Sequence, residues 1–174
     1  MSLYERILRE KFQELSPLVQ KMHCYEKGNT LTGTVTIKRG KSFIAKILNP
    51  LMRLPQEQSN ALLILKLEEK QEKELWQRTF GADTFSSTQY QEANQMVESM
   101  GLVKMYFDVF TDNGSLCTTL VKTTIFWMSV PKWLAVNISS KAEEREGKVL
   151  FKVKVQTFNG NEVITYNGMI DSLK

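Results

Sequence analysis

From residue 102 onward, apolar and polar residues alternate with the period of β-strands that bury one face. Turn sequences containing glycine separate these runs, and Asn113-Gly114 is a strong hairpin signal because it tolerates the positive φ angles of tight turns. Runs between residues 61 and 99 also indicate strands, and the nearly all-apolar segment 61–67 is expected to be covered on both faces. The predicted strands after residue 60 are 61–67, 74–80, 84–90, 93–99, 102–110, 116–126, 136–143, 149–158 and 162–170.

The first 55 residues predict helices around a single strand. Ser2 and Glu5 can form a capping box, and apolar residues at helical spacing follow them. Ser16-Pro17 predicts a second helix start, because serine suits the cap and proline the first turn. This helix is expected to end at residues 27–29, and residues 30–39 then alternate cleanly as a strand.

A further helical piece is predicted over residues 41–54, where apolar residues again recur at helical spacing. Asn49-Pro50 repeats the cap-then-proline device, so two short helices with a bend are expected, closed by Pro55. Farther along, residues 131–134 interrupt the strands and predict a short helical turn.

These elements predict one domain over residues 1–174, with helices and one strand in 1–55 and an antiparallel sheet in 61–174. Consecutive strands with short turns pair mostly with their neighbours. About eight or nine such strands do not lie flat, because a twisted sheet of that size curls. The predicted class is α+β, mostly β: a strongly curved antiparallel sheet, barrel or half-barrel, with N-terminal helices packed against it or plugging it.

Composition and charge narrow the functional classes. The chain is 42% hydrophobic and 24% charged, which is typical of a folded protein. A net charge of +4 is too mild to carry nucleic-acid binding by itself. No signal-peptide pattern and no run of about 18 apolar residues is present, so a cytoplasmic protein is expected. Cys24 and Cys117 are expected to be reduced thiols, with Cys117 buried in a strand.

The stretch 27–56 contains no Asp or Glu but has six basic residues: Lys27, Lys38, Arg39, Lys41, Lys46 and Arg53. Together with the apolar stripe of segment 41–54, this is the composition of a helix that lies on an anionic membrane surface. The competing and favoured interpretation is a helix that packs in the core, as a plug for the curved sheet, with a basic outer face.

Trp76, Arg78 and Phe80 alternate on one strand and are expected to share a face. An arginine between two aromatic rings can hold an anionic head group through two parallel hydrogen bonds. The alternative is that Arg78 pairs with a neighbouring acid such as Glu68 or Glu69 and stiffens the sheet. Arg39 with Gly40 has the same two interpretations, of which a turn-forming pair is favoured over a ligand contact.

His23 is the only histidine, and no convergent set of ligands accompanies it at metal-site spacing. Its neighbour Cys24 points about 100° away on a helix, so a Cys/His catalytic pair is disfavoured. The structural alternative is a helix end at which the imidazole lies near backbone carbonyls. No motif predicts a metal, a cofactor or a catalytic nucleophile, and enzymatic activity is left open with the balance against it.

Several motifs resemble the bacterial family filed as domain of unknown function 4166. They are Leu3-Tyr4-Glu5-Arg6, Leu15-Ser16-Pro17 with His23, Gly33 with Val35 and Arg39-Gly40, Leu54-Pro55, Trp76-Gln77-Arg78-Thr79-Phe80-Gly81 with Phe85-Ser86-Ser87, Pro131-Lys132-Trp133-Leu134, and Tyr166-Asn167-Gly168. The resemblance extends over nearly the whole chain. It implies a domain with no assigned activity, sometimes attached in other members to an oxidoreductase domain or to membrane segments.

The leading functional hypothesis is non-catalytic binding of a hydrophobic or lipid-like small molecule inside the curved sheet. Barrels of this size can keep an interior cavity. Arg78 would anchor an acidic head, and Tyr166 could donate a hydrogen bond. Three alternatives stay open: a membrane-surface or protein-partner adaptor through segment 41–54, an enzyme on an apolar substrate using His23 and Arg78, and a solid interior without a ligand. The ligand-binding candidates are Arg78, Trp76, Phe80, Tyr166, Arg39, Met105 and Phe107, and further apolar lining is expected from Val121, Ile125, Phe151, Val153 and Ile164.

Overall fold

A computed structural model of the chain describes residues 1–24, 30–51, 54–131 and 135–173. The predicted helix end at 27–29 and the central residues of the predicted turn at 131–134 lie outside this range. The described residues form three helices and one 3-10 helix: α1 (Leu3–Leu8), the 3-10 helix (Arg9–Glu14), α2 (Pro17–His23) and α3 (Phe43–Leu51). The strands are β1 (Thr30–Arg39), β2 (Gln58–Lys70), β3 (Lys73–Phe80), β4 (Asp83–Glu92), β5 (Gln95–Met100), β6 (Val103–Asp112), β7 (Ser115–Ile125), β8 (Met128–Ser129), β9 (Val136–Arg145), β10 (Lys148–Thr157) and β11 (Glu162–Leu173).

The strands form one closed antiparallel barrel. Each of β1 to β7 pairs with the next, β7 pairs with β9, and β9, β10 and β11 continue in order. β11 pairs with β1, which closes a ring of ten strands. The short β8 is not part of the ring, because it pairs only with the end of β7. The predicted mostly-β class, antiparallel pairing and curvature are confirmed, and the strand number exceeds the predicted eight or nine.

The burial pattern of β2 differs from the prediction that segment 61–67 is covered on both faces. Leu63, Leu65 and Leu67 are buried and face the barrel interior, but Leu62 is 56% exposed on the outer surface. The strand also begins at Gln58, earlier than predicted. This strand is therefore covered on its inner face alone along part of its length, because a closed barrel leaves the outer face to solvent unless a helix covers it.

The first 24 residues plug one end of the barrel. Leu3, Phe12 and Val19 belong to the same buried cluster as the inner residues of the strands. The Leu3 amide donates a 3.0 Å hydrogen bond to Glu74 on β3, and Tyr4 Oη donates to Gln89 Oε1 on β4. This end of the barrel, marked by the hairpin turns at 71–72, 93–94, 113–114 and 146–147, is called the plugged end below.

The capping box of Ser2 and Glu5 is confirmed, since each side chain bonds the backbone amide of the other. The helix that it starts is shorter than the apolar stripe predicts. α1 stops at Leu8, Arg9 takes a positive φ of 54°, and a 3-10 helix follows. Pro17 begins α2 as predicted, although the Ser16 side chain makes no capping bond.

Segment 41–54 packs partly against the buried cluster, through Leu48 and Leu54. A single helix, α3, replaces the two predicted, and residues 52 and 53 lie outside the described part of the chain. α3 packs along β11, where Ala45 and Asn49 are buried. It covers Thr165, whose side chain alternates with the inward-facing Ile164 and Tyr166. The helix therefore lies on the outer wall, at the end of the barrel opposite the plug.

Candidate functional site

The inner wall of β3 carries the predicted group Trp76, Arg78 and Phe80. In register, Arg78 lies between Leu65 of β2 and Phe85 of β4, both of which face the interior. The prediction that the three side chains share a face is therefore confirmed by the alternation of the strand. They project into the barrel, not onto a solvated surface.

Arg78 joins a three-residue polar cluster on this wall. Its Nη2 lies 3.0 Å from Glu98 Oε1 on β5, and its Nη1 donates a 2.7 Å hydrogen bond to Ser87 Oγ on β4. Ser87 Oγ in turn donates a 2.5 Å hydrogen bond to the same carboxylate oxygen of Glu98. Arg78, Ser87 and Glu98, called the inner-wall cluster below, thus form a closed triangle of contacts across three strands.

Aromatic rings enclose the guanidinium of Arg78. Its central carbon lies 5.2 Å from the ring centroid of Trp76 and 5.1 Å from that of Phe85. A cation at this distance is attracted by the ring quadrupole. The rings and the ion pair together hold the guanidinium in one orientation, as a site for a carboxylate or phosphate requires.

The acid that pairs with Arg78 is not one of those considered from sequence. Glu68 and Glu69 are exposed at the plugged end, in register with Leu75 and Glu74 and not with Arg78. Glu98 replaces them because its inward position on β5 faces Gln89 on one side and Met105 on the other. This partner could not be identified from nearby sequence, because Glu98 is on β5 and β4 lies between β3 and β5.

Tyr166 and Phe80 lie on facing parts of the interior, with ring centroids 5.6 Å apart. Burial raises the pKa of the Tyr166 phenol well above its ordinary value, and the positive charges of Arg78 and Arg39 oppose this only weakly. Its hydroxyl bonds to no other residue in the described ranges of the chain. It is a hydrogen-bonding group inside the barrel, and its role as a ligand contact stays a prediction.

Arg39 is not part of this cluster. Its guanidinium donates hydrogen bonds to the carbonyl oxygens of Leu54 and Pro55 and to Gln56 Oε1. These bonds fix the connection from α3 to β2. The turn-forming role of the Arg39-Gly40 pair stays a prediction, while the guanidinium is occupied by two backbone carbonyls and the Gln56 side chain.

Met105 and Phe107 face the interior but are only 5% and 3% exposed, within the cluster that the helical plug covers. Met105 is also the direct neighbour of Glu98 across β5 and β6. Val121 does not line the interior as predicted. A β-bulge places Tyr106 opposite Lys122 and Phe107 opposite Leu120, which leaves Val121 unpaired and 53% exposed.

Part of the interior near the inner-wall cluster is accessible to water. The side chains of Arg78 and Glu98 keep 16% and 14% exposure although both point inward. Toward the same end, the inward Ile125 is 42% exposed. This end is called the open end below, and several other inward apolar side chains are half-buried: Phe85, Met100, Val103, Leu120, Ile138, Phe151 and Val153.

His23 is the last residue of α2. It is 4% exposed, its imidazole packs 4.3 Å from the Tyr4 ring and 6.2 Å from Trp76, and neither ring nitrogen has a hydrogen-bond partner among the described residues. Burial lowers its pKa to about 3. The helix end predicted at His23 is therefore confirmed, but its imidazole makes no hydrogen bond to a backbone carbonyl of the described residues. Trp76 touches both His23 and Arg78, but no hydrogen bond or ion pair links these two residues.

Within the described ranges, no three His, Cys, Asp or Glu side chains converge into a group that could hold a metal ion. None of the helices that the structure describes is long and apolar enough to cross a bilayer.

Sequence reasoning missed Ser87 and Glu98. The signal was present in Met96, Glu98 and Met100, because an acid that alternates with two apolar residues on a strand is placed on the buried face. A buried-face acid requires a partner, and an inward arginine on a nearby strand supplies one.

The fold and the site define a class: a closed antiparallel β-barrel, plugged at one end by helices, with a charged cluster on a partly solvated inner wall. The chain belongs to the family described as Domain of unknown function (DUF4166), whose family model matches residues 15–170. The resemblance seen in the sequence motifs is thereby confirmed.

Among solved structures, the chain is similar to a protein of unknown function from the DUF3598 family of Nostoc punctiforme. The TM-score is 0.52 at 10% sequence identity, over 90% of this chain and 48% of that one. This chain thus spans about half the length of that protein, and the likeness concerns the fold alone. A search of curated proteins gave no match.

Proposed function

We propose that the protein binds a hydrophobic or lipid-like small molecule inside the barrel, without catalysis, and holds its acidic head at Arg78. The observation that carries this proposal is the partial exposure of Arg78 and Glu98 on the inner wall. Partial exposure of two inward-facing side chains is the result expected from water-accessible space beside them. A ring of ten strands is also wider than the eight-stranded barrels that hold one small ligand.

Glu98 stands where the head of a ligand would bind. Its carboxylate already supplies Arg78 with the partner that an acidic ligand would offer. An incoming carboxylate therefore competes with Glu98 for the guanidinium, while the apolar tail contacts half-buried residues such as Phe85, Val103 and Phe151. Because of this competition, loss of the Arg78 charge should weaken ligand binding, and loss of the Glu98 charge should strengthen it.

Titration with a fluorescent long-chain fatty acid tests the proposal. Arg78→Met should weaken binding about tenfold or more, because a charge-assisted hydrogen bond is lost. Glu98→Gln should strengthen it, because the competing charge is removed. The matched control is Lys148→Met, which breaks the Lys148–Asp171 ion pair and should change nothing, since that pair is on the exterior.

A folded wild-type protein that takes up no probe would contradict the proposal, as would equal affinities for the two interior variants. Native mass spectrometry of protein purified from cells supplies an independent measurement, because a retained lipid appears as added mass.

A cytoplasmic location is part of the same proposal. Cys24 and Cys117 are both free thiols, and Cys117 is buried in β7. Unpaired cysteines are typical of proteins in a reducing compartment.

A further inference from the structure

The open end of the barrel is surrounded by large apolar side chains exposed to solvent. Phe43 and Ile47 project from α3 with 77% and 49% exposure. The turns between strands at this end add Leu102, Trp127 and Phe158 at 59%, 90% and 56%. These five residues with Phe126, called the apolar rim below, include four of the five exposed aromatic side chains among the described residues.

The turn of the β7–β8 hairpin holds two aromatic residues in a backbone conformation that such residues rarely adopt. Phe126 and Trp127 are the two central residues of this tight turn, and both have positive φ, 48° and 60°. Such turns favour Asn-Gly, which the β6–β7 hairpin has at 113–114. A bulky residue at positive φ is strained. The Phe-Trp pair therefore weakens the turn, and its ring contacts do not bury Trp127.

The two ends of the barrel differ in their balance of acidic and basic residues. Most of the described acidic residues lie at the plugged end. The described acidic residues near the open end are Glu57, Asp83 and Glu162, while Glu98 is paired inside. Exposed lysines outnumber them on the walls next to the apolar rim: Lys38, Lys41, Lys46, Lys104 and Lys122.

We propose that the apolar rim docks this protein, open end first, onto a lipid bilayer that carries anionic headgroups. Aromatic side chains at an end-on face insert at the level of the headgroups, and lysines beside them contact anionic lipid. The positive charge of this end selects an anionic bilayer over a neutral apolar partner. Docking concerns the outer surface of the open end and does not require a ligand in the interior.

Sedimentation of the full chain with vesicles tests the proposal. Vesicles of phosphatidylcholine with phosphatidylserine should bind the protein, vesicles of phosphatidylcholine alone should bind it less, and 1 M salt should reduce binding because the Debye length falls to about 3 Å. Absence of wild-type binding to the anionic vesicles would overturn docking.

The decisive variant is Phe126→Asn with Trp127→Gly. It should fold as well as the wild type or better, because Asn-Gly suits the turn. Its vesicle affinity should fall roughly a hundredfold, since burial of each aromatic side chain contributes a tenfold gain or more. Phe110→Ser is the matched control, because Phe110 is 44% exposed on the wall near the plugged end.

Equal binding by the wild type and the Asn-Gly variant would overturn the proposal. So would a concentration-dependent dimer in the ultracentrifuge that this variant abolishes while vesicles remain unbound, because the rim would then cover a second copy. Arg78→Met should leave vesicle binding unchanged, which separates failure of docking from failure of ligand binding.

Discussion

The carboxylate of Glu98 on β5 reaches past β4 to the guanidinium of Arg78 on β3, with 3.0 Å between Oε1 and Nη2. The two side chains face the barrel interior with little exposure, so neither is fully solvated by water. Their mutual attraction and the Ser87 bridge offset that loss of hydration. The pair is therefore a structural element as well as a candidate binding group.

A double-mutant cycle with Arg78→Met and Glu98→Gln should show a coupling free energy of about 1–3 kcal/mol in urea unfolding, because loss of either partner leaves the other unpaired. The control cycle, Lys148→Met with Asp171→Asn, should give less than about 1 kcal/mol, since these side chains are 43% and 38% exposed. Similar coupling in the two cycles would contradict the inward placement of Arg78 and Glu98.

Stability should fall in acid because of His23. Burial lowers the pKa of the folded-state imidazole to about 3, whereas the unfolded chain titrates near 6.5. The unfolded state therefore binds more protons between these values, and stability present above pH 6.5 is lost as the pH falls toward 3. Each pH unit in this window changes the free energy of unfolding by about 1.4 kcal/mol.

The matched comparison is His23→Phe, which keeps a ring between Tyr4 and Trp76. Between pH 7 and pH 5, the wild type should lose about 2 kcal/mol more stability than the variant in urea unfolding. Glu74 is also buried, and burial raises its pKa, but it titrates in the two proteins alike and cancels in the difference. Parallel losses would show that His23 is protonated without unfolding.

Gly168 provides a test of packing inside the barrel. A Cβ atom at this position would lie 2.2 Å from Cζ of Phe151 and 2.8 Å from the Thr34 carbonyl oxygen. Gly168→Ala should therefore lower the free energy of unfolding by about 1–3 kcal/mol. The loss should be smaller in a Phe151→Leu background, because the shorter side chain removes one of the two contacts.

The neighbouring Asn167→Ala is the control, because Asn167 is exposed and should change stability by less than about 0.5 kcal/mol. An equal loss from Gly168→Ala in both backgrounds would mean that the Phe151 ring does not lie over this glycine.

Arg9 offers a route to a more stable protein. It follows α1 with φ 54° and ψ −124°, a region that favours glycine. Arg9→Gly should raise the thermal midpoint, with a gain of about 1 kcal/mol. Lys11→Gly in the 3-10 helix should lower it, because glycine loses more conformational freedom there. If both substitutions lower the thermal midpoint, the backbone at Arg9 is not a source of strain.

Alternation and turn residues were sufficient to predict most strands, because each strand of a barrel has one buried and one solvated face. The Asn113-Gly114 hairpin and the Ser2 capping box form as predicted for the same local reason. The location of α3 could not be predicted. Its apolar stripe fits an inner plug and an outer wall equally well, and the choice depends on which surface the rest of the fold leaves uncovered.

Only part of the inner-wall cluster, the face on which Arg78 lies, could be predicted from the sequence. The face of Arg78 follows from its own strand, but the identity of its partner depends on the registers of two further strand pairs. A shift of one residue in either register would turn Glu98 to the outside. Registers are fixed by the whole barrel, so the sequence indicates a buried face for Glu98 but does not by itself pair Glu98 with Arg78.

The pairing of β1 with β11 joins Leu31 to Leu173, almost the full length of the chain apart. β11 must therefore be synthesised before this ladder can form, and until then the outer edge of β1 remains available to other chains. We expect slow refolding, because pairing between strands this far apart in sequence gives a high contact order.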